Sequence, residues 1–179
     1  MNHKFVFMGP VGSGKSTQAQ LLADYLHLPH LEMGDLLRRL SEANEQVKAV
    51  VQSGQLVPDD LTLKLLGEEL VKEEYTKGFV IDGVPRTLYQ AQNLPFTPDL
   101  VVYLRVRDSE NIKRLLLRKR GDDTEEIITG RLKIYHDQTA PVLDFYRAQN
   151  KLLEIDGEPT IEIIAQDILA QLRQLQLIS

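Results

Sequence analysis

Residues 9–26 read GPVGSGKSTQAQLLADYL, with three glycines ahead of one lysine and two hydroxyl residues, Ser16 and Thr17, directly after it. A residue without a Cβ lets the backbone curl around an anion where other residues would clash. The first N–H groups of a helix have no partner within it and point outward, so with the helix dipole they attract negative charge. Lys15 adds a point charge, and Ser16 and Thr17 add oxygens that suit a metal ion. The spacing Gly9-x-x-x-x-Gly14-Lys15-Ser16 is that of a phosphate-binding loop. That reading requires a strand before the loop and a helix after it. KFVFM (residues 4–8) is apolar enough for a buried strand, and Ala19, Leu21, Leu22, Tyr25 and Leu26 recur at helical spacing.

A second chemical candidate is Asp82, at the end of the apolar run GFVID (residues 78–82). A carboxylate there either caps the next turn or holds a metal ion or its water, and a phosphate-binding loop in the same chain favours the metal. Arg38, Arg86, Arg114, Arg118, Arg120 and Arg131 fall near expected strand ends and loops. Guanidinium forks match phosphate oxygens two at a time, and clustered cations repel unless polyanions sit among them. Of the four histidines none stands in a catalytic-looking context; His30, nearest the second strand, reads as a structural or surface residue. An acceptor that is itself a phosphate needs no base, because its oxygen is already ionised. Catalysis then reduces to alignment and charge neutralisation.

The elements that must position these groups alternate. Strands are expected at residues 4–8, 78–83, 98–106 and 151–157, with a short extended piece before the helix near Asp35. Helices are expected after the loop, on both sides of SGQLVPDD (residues 53–60), after Asp108 or Ser109, over 124–149 as one helix or a pair, and after Pro159. Gly54 is expected to end one helix, and Asp59 or Asp60 to cap the next. Such alternation implies parallel β-α-β units, an α/β fold that binds ligands outside the carboxyl ends of its strands. No repeat or low-complexity linker interrupts it.

With 179 residues the chain suits one domain. Hydrophobic content of 42% and charged content of 26% are ordinary for a globular protein. A formal net charge of −5 argues against a nucleic-acid surface as the main role. The absence of cysteine excludes disulfides and thiolate metal sites. No apolar run approaches a membrane span and the amino terminus merges into the first strand, so a soluble cytoplasmic protein is expected.

Taken together, GPVGSGKSTQA, MGDLLRR, SGQLVPDDL, GFVIDGVPRTLYQAQ and RLKIYHDQTAPVLDFY come in the order and spacing of adenylate kinases. The resemblance runs from residue 4 to about residue 165, and the DG-x-PRT-x-x-Q segment is more specific than the phosphate-binding loop. It implies a three-layer P-loop fold with a five-stranded parallel sheet, mobile acceptor-binding helices over 32–61 and a short lid loop over 118–126. It implies the reversible reaction ATP + AMP to two ADP, with Mg²⁺ and without zinc; a single continuous core with no obvious extra apolar surface favours a monomer. By position, Gly12, Ser13, Gly14, Lys15, Ser16 and Thr17 would cradle the ATP phosphates, with Arg114 by the ATP base. Arg38 and Arg86 would bind the acceptor phosphate, and Gln90 would read its base. Met33, Gln55, Leu56, Val57, Gly83, Val84 and Pro85 would wall that pocket. Lys15, Arg86, Arg118, Arg120 and Arg131 would carry catalysis, braced in the lid by Asp122 and Asp123. Ser16 and Asp82 would serve magnesium. Glu32, Met33 and Val84 depart from the family pattern at the acceptor pocket, which leaves UMP or CMP as an alternative acceptor. A kinase of small hydroxylated metabolites and a non-enzymatic nucleotide sensor are weaker alternatives. The first would show a catalytic base, and the second would have lost the lysine or the arginines.

Overall fold

A computed structural model describes residues 2–42, 48, 50, 55–118 and 124–178. Five strands form one parallel sheet in the order β2-β3-β1-β4-β5: β1 (His3–Met8), β2 (His30–Glu32), β3 (Gly78–Asp82), β4 (Leu100–Arg105) and β5 (Leu152–Asp156). Between them run α1 (Lys15–Leu26), α2 (Met33–Ser41), α3 (Asp59–Leu70), α4 (Leu88–Gln92), α5 (Asp108–Arg118), α6 (Glu125–Ile134), α7 (Ala140–Arg147) and α8 (Ile161–Gln174). The five expected strands are all present.

The central strand shows why the sheet needs helices on both faces. Phe5 and Phe7 point to one side, Val6 and Met8 to the other, and all four are buried. On the first side Phe5, Phe7, Val80, Val102 and Leu104 pack against Ala19 and Leu22 of α1 and against Ile164, Ile168 and Leu172 of α8. On the second, Val6, Met8, Ile81 and Val101 meet Leu36 of α2, Leu66 of α3, Ala91 of α4, and Val142 and Tyr146 of α7. Three layers result. A smaller cluster of Leu115, Ile128 and Leu132, with Val11 against it, joins α5 and α6 to the glycine loop.

One local reading changes, and one left open between two forms is decided. α3 begins at Asp59 after Pro58, and neither Asp59 nor Asp60 caps it; both acidic groups lie in its first turn. The expected end at Gly54 lies outside the described residues. The run over 124–149 is one helical rod whose middle turn, Tyr135–Thr139, widens to π-helical pitch just before Pro141. A proline has no N–H to donate and collides with the carbonyl four residues back, and a wider turn relieves both problems. Among the described residues no helix is long and apolar enough to cross a membrane.

Candidate active site

Because β1 feeds α1 toward one edge of the sheet while β4 lies on its other side, a crevice opens at the carboxyl ends of the strands. The glycine loop fills its floor. Gly9, Gly12 and Gly14 all take positive φ, and α1 starts at Lys15 directly after Gly14. At Gly12 the need is also steric: a Cβ would sit 2.8 Å from the Asn111 carbonyl oxygen. Lys15 Nζ donates to the Pro10 carbonyl at 3.3 Å, folding the lysine back over its own loop. The Ser13 hydroxyl is fully buried without a hydrogen-bond partner and does not line the crevice, while its main-chain N–H donates to the Pro10 carbonyl at 3.2 Å and closes the turn.

Beside the loop stands the end of β3, where Asp82 is in register with Phe7 of β1. Asp82 is buried, and its Oδ2 lies 3.1 Å from His30 Nε2. His30 Nδ1 lies 3.0 Å from Gln20 Oε1, and Gln20 Nε2 donates to Asp24 at 2.7 Å. Asp24, Gln20 and His30 thus form a chain of polar contacts behind Asp82. His30 therefore anchors Asp82, a role that the sequence could place only loosely as structural. The chain then turns at Gly83 (φ 83°) and delivers Arg86.

Arg86 is tied on three sides. Its Nε donates to the Gly83 carbonyl at 2.8 Å, its N–H to Gln90 Oε1 at 2.7 Å, and its carbonyl accepts from Thr139 Oγ1 at 2.8 Å. Burial lowers its pKa from the usual guanidinium value; Asp82 opposes that fall, and the charges of Arg131 and Arg38 add to it. Such a group gains most from an incoming anion. Arg38, on α2, bonds to Asp35 and to Glu32 Oε1 at 2.9 Å. Burial works against its charge, but these two carboxylates outweigh burial and hold its pKa above the ordinary value.

One cleft of about 430 Å³ connects these parts. Gly12, Gly14, Lys15, Ser16 and Thr17 line it from the glycine loop, Arg38 from α2, Gln55, Leu56 and Val57 from the segment before α3, and Gly83, Val84 and Pro85 from the turn after β3; Asp82, Arg86, Arg114 and Arg131 line it too. Arg114 also reaches the carbonyls of Gly157 and Glu158 at 2.9 and 3.2 Å, while Glu110, its pKa lowered by the bond from Arg114, holds its Nε.

Some expected site residues stand elsewhere. Met33 has no exposed surface and packs in the core cluster with Leu36, Ile81 and Val84, so its side chain is not a wall of the cleft. Gln90 is also buried and bounds no part of the cleft. Its oxygen accepts from the Arg86 N–H and its nitrogen donates to Asp59 at 2.8 Å, while Asp59 also accepts from Thr87 at 2.9 Å. Arg118 ends α5, but its side chain lies outside the described residues, as do Arg120, Asp122 and Asp123. Sequence reasoning did not find the partners of Asp59, Thr139 and His30, and it placed Glu32 at the acceptor pocket only as a departure from the family pattern, without its bond to Arg38. The signal for Glu32 was its position at the end of β2; the other three act through contacts 28 or more residues away in the chain.

Comparison with known proteins bears on this geometry. The family model described as "Adenylate kinase" matches residues 7–151. The protein named adenylate kinase 1 of Nostoc sp. strain PCC 7120 is 39% identical over 180 residues, covering 94% of this chain and 98% of that protein. The adenylate kinase of Cyanothece sp. strain PCC 7425 is 41% identical over 181 residues, covering 91% of this chain and 92% of its own. Adenylate kinase 1 of Synechocystis sp. strain PCC 6803 is 39% identical over 174 residues, covering 91% and 93%.

Proposed function

The chain belongs to the adenylate kinase family, and from that premise we propose that it catalyses the reversible transfer of the γ-phosphoryl group of ATP to AMP, giving two ADP. The observation that carries the reading is the single cleft, which runs from the glycine loop to Arg38 and has Lys15, Arg86 and Arg131 along it. In the reaction an oxygen of the AMP phosphate bonds to the γ-phosphorus. The bond from that phosphorus to its bridging oxygen breaks, and the electron pair stays on the departing ADP. No proton moves, which fits a cleft whose chemistry is cationic.

The loop N–H groups and Lys15 hold the donor's phosphates, and Arg114 lies beside its base. Arg38 and Arg86 hold the acceptor phosphate. Arg86 and Arg131, joined by Arg118 and Arg120 on closure, neutralise the charge of the group in flight. Leu56 and Val57 supply an apolar wall for the acceptor base, and Gln90, held by Asp59, fixes the Arg86 main chain that carries the phosphate-binding guanidinium. Ser16 and Asp82 offer hard oxygens on the cleft, and Asp82 keeps Oδ1 for a ligand while Oδ2 is held by His30. These are the donors magnesium takes, and the ion supplies further charge neutralisation on the phosphates when bound. Closure of the segments over 32–61 and 118–126 excludes water, which competes for the same phosphoryl group. One continuous fold with its own core supports action as a monomer.

Coupled turnover with ATP against AMP, UMP, CMP and GMP tests the proposal. AMP is expected to give ADP at the highest kcat/KM, and failure of AMP to yield ADP overturns the assignment.

A further inference from the structure

Arg38 is not waiting empty-handed. Its Nη2 lies 2.9 Å from Glu32 Oε1, and both residues line the cleft. Asp35, its other partner, is the more exposed of the two acids, at 61% against 25% for the Glu32 side chain, and does not line the cleft. Gly34, inside α2, leaves the room: a Cβ there would lie 3.3 Å from Arg38 Nη1 and 3.4 Å from Glu32 Oε1. The same carboxylate also acts on Arg86, where it offsets the charges of Arg131 and Arg38. One side chain thus neutralises the cationic end of the cleft from within.

We propose that Glu32 is an affinity-setting residue, an internal anion that occupies the place beside Arg38 that the acceptor's phosphate takes, so that the acceptor binds by displacing it. The inference rests on the reading of Arg38 and Arg86 as the acceptor-phosphate site. Asp35 keeps its hold on Arg38 from outside the cleft and orients the guanidinium throughout. The Glu32 contact is the one that must yield, and after it yields a carboxylate remains near the bound dianion. Both effects weaken phosphate binding, and neither touches the base or the ATP loop. Without a ligand the same carboxylate relieves repulsion among the arginines. Glu32 therefore stabilises the empty protein and loosens the loaded one, two effects of opposite sign from one charge.

The test is Glu32→Gln in the full chain, which keeps the volume and removes the charge. Calorimetric titration with AMP alone is expected to give a Kd about two- to fivefold lower than wild type, the scale of a half-exposed ion pair. Adenosine, which lacks the phosphate, is expected to bind equally to both proteins. The melting temperature without ligand is expected to fall, and the AMP gap to narrow in high salt. Glu32→Ser serves as a second variant if the glutamine protein does not fold. An AMP Kd that is unchanged or raised, or a gain shared equally by adenosine, overturns the proposal. Arg38→Ala separates the two layers. If AMP weakens there but does not tighten in Glu32→Gln, the phosphate site stands and the proposal falls. If Arg38→Ala leaves AMP binding intact, the phosphate site itself is wrong and the proposal goes with it.

Discussion

The two ends of the cleft are built from different material. The donor end is main chain: glycines at positive φ, the first turn of α1, and a lysine resting on its own loop's carbonyl. Its parts lie within nine consecutive residues, 9–17. The acceptor end is side chains collected from across the molecule, with Arg38 on α2, Arg86 after β3, Asp59 on α3 and Thr139 in the π turn. A main-chain site is fixed once its turn is fixed. A side-chain site depends on each distant partner, so it can be tuned residue by residue.

Lys15→Met probes the donor end most severely. Turnover is expected to fall on the order of 10³-fold, with melting temperature and circular dichroism unchanged. Near-normal rates in steady-state assays would mean that the backbone alone suffices there. Gly12→Ala tests the same end through shape. The new Cβ meets the Asn111 carbonyl at 2.8 Å in a left-handed backbone, and about 2 kcal/mol of stability should be lost in denaturant melts. A variant as stable as wild type would show that this loop shifts easily, against the rigidity drawn above.

Asp59→Asn probes the acceptor end. The amide of Gln90 now sits between an N–H that can only donate and a carboxylate that can only accept, so it cannot turn over. With asparagine it can. The KM for AMP is expected to rise about fivefold, in line with loss of one charge-assisted hydrogen bond, while the KM for ATP stays put. Equal rises for both substrates would erase the distinction between the ends.

Glu158→Gln is the mildest. Arg107 holds the Glu158 carboxyl down to about 2, from an ordinary 4.5. A depressed carboxyl adds stability above pH 4.5 and loses it as pH falls toward 2. The variant should therefore melt slightly lower than wild type at neutral pH and match it near pH 2, a convergence that acid titration of the melting curves would detect.

What could be read from the sequence follows the same division. The loop, the five strands and the parallel alternation were legible because each is a short-range pattern. Asp82 was legible as a strand-end carboxylate, but its anchor was not, because His30 reaches it across 52 residues. Asp59 reads locally as a helix cap, yet the helix starts at Asp59 itself and frees the side chain to hold Thr87 and Gln90. Met33 reads as a wall by its position in the resemblance to adenylate kinases, and its neighbours Glu32 and Gly34 do line the cleft. At the start of α2 its side chain turns the other way, into the core.

The widened turn at Tyr135–Thr139 also sets the phasing of everything after it. Regular helix advances about 100° per residue, so deleting one residue from this turn would swing α7 by about that angle. Val142 and Tyr146 would then leave the core that they fill, and Thr139 would lose its grip on the Arg86 carbonyl. The swollen coil is thus a splice that lets Arg131 upstream line the cleft while the aromatic ring downstream faces the sheet, and a chain shortened there could keep one alignment only by giving up the other.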